Sequence, residues 1–145
     1  MHFDRLLGSI ILSLLLPLLC CAQNISELVL VNANTDSDIG QLEEGATIDL
    51  ASTGTNLNIR AEVSGPVGSV RFSYDGNNNF QTENVAPYAF AGDTGGDYNS
   101  WTPTLGEHTV TAIAYEGENA SGDVLGTIAV NFTVISDNGG GGGDG

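Results

Sequence analysis

The sequence predicts an all-β protein, a two-sheet antiparallel sandwich of about seven strands, and three observations support this prediction. Apolar residues recur at every second position in several short segments, and no segment repeats them at helical spacing. Turn-forming pairs such as Asp75-Gly76 and Ser121-Gly122 separate these segments. The chain of 145 residues is long enough to bury one core. Because each strand has one apolar face, a second sheet must cover it, which favours a sandwich.

The first three predicted strands lie before residue 64. Residues 27–33 (ELVLVNA) form an apolar segment, and residues 47–51 (TIDLA) have apolar side chains at their second and fourth positions. Residues 56–63 (NLNIRAEV) alternate most regularly, with four apolar residues facing inward. The polar residues between them, including Asn58 and Arg60, are expected to face outward.

Four further strands are predicted in the second half of the chain. Residues 69–75 (SVRFSYD) place their valine, phenylalanine and tyrosine inward and Arg71 outward. Residues 80–90 form a segment that a proline interrupts. Residues 108–115 (HTVTAIAY) and 127–135 (TIAVNFTVI) again alternate between apolar and polar positions.

An export signal is predicted over residues 1–22. Residues 6–19 (LLGSIILSLLLPLL) are apolar but too few to span a bilayer, which takes about 20 residues. Cys20 and Ala22 supply small residues for cleavage after Ala22. Lipid attachment at Cys20 or Cys21 is an alternative, although a small residue usually precedes the acceptor. The predicted localisation is secreted, either extracellular or at the cell surface, with no membrane span.

Charge and cysteine content exclude several classes of partner and chemistry. With 18 acidic residues, 3 basic residues and a net charge of -15, the chain lacks the clustered Lys and Arg that nucleic acids require. Anionic membrane surfaces are disfavoured for the same reason. Cleavage after Ala22 removes both cysteines, so no disulfide, zinc site or thiol chemistry is expected in the mature chain.

The predicted organisation is a single sandwich domain over residues 23–136 followed by a linker. Residues 137–145 (DNGGGGGDG) carry no apolar side chain and are expected to form a flexible tether. Such a tether suggests that the domain is one part of a longer protein.

Four motifs in this order resemble the bacterial Ig-like modules of secreted enzymes and surface adhesins. They are residues 67–76 (VGSVRFSYDG), 83–90 (ENVAPYAF), 105–117 (LGEHTVTAIAYEG) and 130–134 (VNFTV). The resemblance implies an Ig-like sandwich and a non-catalytic role as spacer, adhesion or surface-display element of a larger secreted protein. It supplies no catalytic residues. Residues 92–101 (GDTGGDYNSW) form a longer acidic loop than the family pattern has.

The Ig-like arrangement makes a prediction about the two arginines of the mature chain. A simple hairpin would place Arg60 and Arg71 beside each other, whereas Ig topology places their strands in opposite sheets. We expect the second arrangement, with the two side chains on opposite outer faces.

Two acidic loops are candidates for calcium, the one cofactor that the sequence suggests. Asn34, Asp36 and Asp38 place oxygen-bearing side chains at every second position, as calcium loops do, although the other EF-hand positions do not match. Asp93 and Asp97 flank the second loop. A solvated turn is the favoured interpretation of both loops, and calcium is the alternative.

Aromatic residues of the acidic loop suggest an alternative function, a carbohydrate-binding module in which calcium assists. Sugar C–H faces pack on exposed rings and their hydroxyls need polar partners, so Tyr98, Trp101 and Asn99 are the candidate ligand-binding residues. Tyr88 and Tyr115 are further candidates for exposed rings. The favoured interpretation is that Trp101 caps one end of the core and that Tyr88 follows the bend at Pro87 into it. The partners considered are extracellular polysaccharide and cell-surface proteins.

The sequence does not indicate an enzyme. His108 is the only histidine of the mature chain and is expected to anchor the backbone by hydrogen bonds. No G-x-S-x-G motif is present, and carboxylate pairs such as Asp93 and Asp97 arise by chance in so acidic a chain. Asn24, Asn119 and Asn131 match the N-glycosylation acceptor, which matters only in a eukaryotic secretory route.

Overall fold

The computed structural model describes residues 24–137, which form a two-layer β-sandwich. The predicted export signal lies outside the described residues, as does all of the predicted linker except its first residue, Asp137. The elements in chain order are β1 (Ile25–Asn32), β2 (Ser37–Gln41), β3 (Ala46–Asp49), α1 (Leu50–Thr53), β4 (Leu57–Val63), β5 (Ser69–Tyr74), β6 (Asn77–Glu83), β7 (Tyr88–Ala89), β8 (Asp93–Thr94), β9 (Asp97–Tyr98), β10 (Gly106–Gly117) and β11 (Ser121–Ile135).

The strand order is that of an immunoglobulin-like sandwich. One sheet has the order β2-β1-β4-β7, the other has the order β3-β11-β10-β5-β6, and β8 and β9 form a small separate hairpin. Strands β1, β4 and β7 occupy the places of Ig strands A, B and E, while β5, β10 and β11 occupy those of C, F and G. The predicted Ig-like, all-β fold is therefore confirmed. One pair departs from antiparallel order, because β3 runs parallel to β11.

The core lies between the sheets and is built from the alternation that the sequence displays. Alternate apolar residues of β4 and β10 point inward and are almost fully buried, namely Leu57, Ile59, Ala61, Val110, Ala112 and Ala114. Phe72 of one sheet meets Phe90, which follows β7 of the other, edge to face at 5.9 Å between ring centroids. The largest fully buried apolar side chains are Phe72, Phe90, Ile25, Leu28, Leu57, Ile59, Val31, Val70, Val110 and Val134.

The two arginines lie in opposite sheets, as the Ig-like arrangement predicts. Arg60 is on β4 of the four-stranded sheet and Arg71 is on β5 of the five-stranded sheet.

No helix within residues 24–137 is long and apolar enough to cross a bilayer.

Several boundaries differ from the predicted ones for local physical reasons. Strand β3 ends at Asp49, whereas the prediction continued to residue 51. The Asp49 carboxylate accepts a hydrogen bond from the Ala51 amide at 3.0 Å and so starts the helical turn α1. The segment predicted over residues 80–90 divides into β6 and β7. Strand β2 was not predicted, because all five of its side chains are exposed and do not alternate.

Candidate functional site

The acidic loop 91–101 is fixed to the four-stranded sheet by one buried side chain, that of Asn58. Its Nδ2 donates to the carbonyl oxygens of Gly92 at 3.0 Å and Asn99 at 2.8 Å. Its Oδ1 accepts from the backbone amides of Ala91 at 3.0 Å and Ile59 at 2.8 Å. Asn58 lies on the outer face of β4, as predicted, yet it has no solvent exposure. The loop covers it and thereby supplies the partners that a buried amide needs.

A tight hairpin forms the tip of this loop. Strands β8 and β9 pair through Asp93 with Tyr98 and Thr94 with Asp97. Gly95 and Gly96 have φ values of 63° and 98°, a region that glycine enters without steric cost. The Asp93 carboxylate accepts from the Gly96 amide at 2.7 Å, so this acid closes the turn.

An ion pair lies on the outer face of the four-stranded sheet, beneath this hairpin. Arg60 donates to both carboxylate oxygens of Asp38, through Nη1 at 2.7 Å and Nη2 at 3.0 Å. The guanidinium also contacts Glu62 and donates to the Tyr98 hydroxyl at 3.2 Å. These hydrogen bonds raise the pKa of Arg60 and lower that of Asp38. Arg60 therefore already neutralises one of the proposed calcium ligands.

The structure brings the two predicted calcium loops together, and carboxylate oxygens of Asp36, Asp38 and Asp93 are engaged in hydrogen bonds within the protein. Asp36 has φ 51° in the turn before β2, and its Oδ1 accepts from the Tyr98 amide at 3.0 Å. Asn34 is exposed, and its amide donates to the Asn32 side chain at 2.9 Å. Asp97 is exposed at the hairpin tip. Over residues 24–137, no group of three or more His, Cys, Asp and Glu side chains is placed to hold a metal ion.

The aromatic candidates differ from the expectation of exposed rings. Tyr98, Tyr88 and Tyr115 are 9%, 7% and 7% exposed, so none of the three is an exposed ring. For Tyr88, which packs in the core, this agrees with the favoured interpretation. Tyr98 is buried because it packs against the apolar side chains that β1 turns toward the hairpin. Trp101 is half-buried against the core, with its ring centroid 4.8 Å from that of Phe90, which agrees with the capping role. Asn99 is exposed, and its Nδ2 donates to the Ala91 carbonyl at 3.2 Å.

A second carboxyl group that sequence reasoning missed lies where β6 approaches the loop. Glu83 accepts a hydrogen bond from the Gln81 side chain. Burial, with a smaller contribution from the negative charge of Asp93, raises the pKa of Glu83. No pattern in the sequence indicates that these two acids lie near each other, because Glu83 and Asp93 belong to different sheets.

His108 has the anchoring role that the sequence predicts. It is 8% exposed, and its Nδ1 lies 2.6 Å from Asp75 Oδ2, while its Nε2 lies 2.7 Å from the carbonyl oxygen of Thr104. The Tyr74 hydroxyl lies 2.8 Å from the same Nδ1, and the two rings stack at 5.3 Å. These contacts tie the start of β10 to the turn after β5. A shallow depression of about 370 Å³ borders the ring, lined also by Asp75, Glu107 and Asn131.

Comparison with known proteins yields little beyond the fold. No family model matches the chain, and no curated protein matches it. Among solved structures, the chain is similar to fibronectin(III)-like modules of Clostridium thermocellum CbhA, with 20% sequence identity and a TM-score of 0.41. That match covers 65% of this chain and 88% of the other. The assignment of an Ig-like sandwich rests on the strand pairing described above.

Proposed function

We propose that this chain is a non-catalytic extracellular module, a spacer, adhesion or surface-display element of a larger secreted protein. The observation that carries the proposal is the position of the first and last strands. The chain enters the sandwich at one end and leaves it at the other. A module of this kind adds its whole length to any protein in which it lies between two neighbours.

The strand register supports opposite ends for entry and exit. Ile25 begins β1 opposite Val63. This end of the sandwich also holds the tip of the β10–β11 hairpin, where Ser69 Oγ donates to the carbonyl oxygen of Gly117. Strand β11 starts at that tip and runs 15 residues, about 50 Å, to Ile135. Ile135 pairs with Asp49 at the far end of the sandwich.

The pairing of β3 with β11 supports a load-bearing role. These strands are parallel, with Thr47 opposite Thr133. When the two ends of the sandwich are pulled apart, strand β11 slides along β3 instead of peeling from it. The backbone hydrogen bonds of the pair then carry the load together, which resists extension.

The charge of the chain also suits a displayed module. A net charge of -15 keeps copies apart in solution, and salt screens the internal repulsion that the same charge causes. The acidic loop 91–101 is held against the sheet by Asn58 and by backbone hydrogen bonds.

The spacer proposal is tested with tandem copies joined end to end. Small-angle scattering of one, two and three copies should give a maximum dimension that grows by nearly one module length per copy. Extension by atomic force microscopy should show one unfolding event per copy. A maximum dimension that barely grows with copy number would contradict the proposal. Export is tested separately by sequencing the N-terminus of the secreted protein, which should begin at Gln23.

The carbohydrate-binding alternative depends on Trp101, whose ring stays partly exposed beside the exposed Asn99. It predicts that polysaccharide shifts Trp101 fluorescence and that Trp101→Phe weakens retention on a glycan column. The spacer proposal predicts no shift and no retention. A calcium-assisted version further predicts that a chelator lowers the melting temperature. An unchanged melt would remove Asp36, Asp38, Asp93 and Asp97 as ligands.

A further inference from the structure

The two described arginines have opposite surroundings. Arg60 is paired with Asp38 and Glu62. For Arg71, in contrast, no carboxylate or other acceptor within residues 24–137 pairs with the guanidinium, and Nε is buried without a hydrogen-bond partner. Its guanidinium carbon lies 5.2 Å from the centroid of the Tyr115 ring. The Nη groups of Arg71 also have no acceptor within these residues and are not buried, so an acceptor from outside the chain can reach them and pair with the charge.

Neutral side chains surround Arg71 on the outer face of the five-stranded sheet. Burial alternates along β5 and β10, so Arg71 and Ile113 face outward, directly opposite each other across the two strands. Two rows of cross-strand neighbours form the centre of this face. From β11 toward β6, the first row consists of Thr127, Ile113, Arg71 and Thr82, and the second of Ala129, Thr111 and Ser73. We call these seven residues the neutral face. It contains no acidic residue, although the chain has 18.

The lack of acidic residues and the presence of Arg71 are two features that this face shares with the centres of protein–protein interfaces. Such centres are depleted in Asp and Glu and enriched in Arg and aromatic residues. Arg and Tyr are also among the residues that contribute most to binding energy, and here Arg71 is stacked over Tyr115. The stacking restricts the guanidinium, so less side-chain entropy is lost when a partner binds.

We infer that the neutral face binds a protein segment that presents one Asp or Glu carboxylate beside an apolar side chain. Arg71 receives the carboxylate, with the charge-assisted hydrogen bonds that a guanidinium forms best. Ile113 packs against the apolar neighbour. The inference goes beyond the proposed function and does not depend on it, because it requires neither export nor a tandem arrangement.

An acidic polysaccharide is the other source of carboxylates, and the structure favours it less. A net charge of -15 repels every charge of a polyanion, whereas a single carboxylate bears this repulsion once and lies beside Arg71. Arg71 covers the Tyr115 ring, which is 7% exposed, so the neutral face offers no free ring for a sugar to stack on.

The direct test follows the Nε–H signals of the two arginines by nuclear magnetic resonance in the ¹⁵N-labelled protein. The probe is the capped tripeptide acetyl-Leu-Glu-Leu-amide, and its control is the same peptide with Gln in place of Glu. We expect a saturable shift at Arg71 with the Glu peptide and none with the Gln peptide. Arg60, whose Nε already donates to Glu62, is the internal control and should not shift.

Variants separate binding at the neutral face from general charge effects. Arg71→Gln should weaken binding of the Glu peptide about tenfold or more, measured through the backbone amide of Ile113. Arg60→Gln makes the same change on the opposite sheet and should leave binding unchanged. Melting curves of both variants check that each is folded.

Three results would overturn the inference. The first is the absence of a saturable shift at Arg71 with the Glu peptide. The second is a shift with polygalacturonate but not with the peptide, which would assign the face to an acidic polysaccharide. The third is a dimer in sedimentation equilibrium that Arg71→Gln abolishes, which would assign the face to a second copy of this chain.

Discussion

Asn58 and Gly92 are 34 positions apart in sequence, yet the side-chain amide of the first donates to the carbonyl oxygen of the second at 3.0 Å. This contact joins the central strand of one sheet to the loop that covers its outer face. It is one of four hydrogen bonds that the Asn58 side chain makes. Asn58 therefore shares the task of holding the loop with the backbone hydrogen bonds between Leu57 and Trp101.

Replacing Asn58 should be costly. Asn58→Ala leaves the carbonyl oxygens of Gly92 and Asn99 and the amide of Ala91 without their partner, so we expect a loss of about 2–4 kcal/mol in the free energy of unfolding. Urea denaturation measures it. Asn78→Ala, at an exposed asparagine on β6, should change stability by less than about 0.5 kcal/mol. Equal effects of the two substitutions would contradict the role given to Asn58.

Gly68 should not tolerate a side chain. A Cβ at this position would lie 2.3 Å from the carbonyl oxygen of Glu116, which belongs to the backbone of β10 and cannot move away freely. We expect Gly68→Ala to destabilise the fold by about 2 kcal/mol or more. Gly40→Ala is the matched control, because no atom lies within 4 Å of its added Cβ. Thermal melting of the two variants side by side decides the matter.

The pair of Asp38 with Arg60 predicts a loss of stability in acid. A carboxyl group whose pKa is lowered on folding stabilises the protein above its unfolded pKa, and this contribution disappears as pH falls through the folded pKa. Asp38→Asn should therefore cost up to about 1 kcal/mol at pH 7, since the exposed pair is screened by solvent. Near pH 2 the variant and the parent should unfold at nearly the same urea concentration. A difference that persists unchanged there would argue against the ion pair.

The raised pKa of Glu83 predicts that stability changes with pH in the opposite direction. Its pKa is raised on folding by burial and by Asp93, so ionisation costs stability as pH rises through the folded value. Glu83→Gln should increase the free energy of unfolding at pH 7, by less than about 1 kcal/mol, and change it little at pH 3. Glu118→Gln, at an exposed site, controls for the general benefit of removing one negative charge. If both variants gain equally at pH 7, burial of Glu83 is not the cause.

Much of the fold could be predicted because half-buried strands alternate in sequence as they do in space. The strand over residues 108–115 is embedded in β10, and its valine and alanines are fully buried, as expected. Strand β2 could not be found in this way. It forms by backbone pairing with β1 at the edge of the sheet, where all its side chains are exposed. Pairing of this kind leaves no apolar pattern in the sequence.

The candidate site was less predictable, because its contacts join distant segments. Alternation places Asn58 on the outer face of β4, which is correct, but the loop that covers this face lies more than 30 residues later. Tyr98 is buried for the same reason, since its environment is the side of β1 that faces the hairpin. A single sequence indicates which side of a strand a residue occupies, but not what else packs on that side.

Strand β11 is the last strand of the sandwich to emerge from the ribosome or through an export channel. It is the only strand that pairs with β3 within the described residues, and it also borders β10 along most of its length. Until it arrives, the five-stranded sheet lacks the element that joins its earliest strand to its later ones. The five-stranded sheet is therefore complete only after nearly all of residues 24–137 have been synthesised.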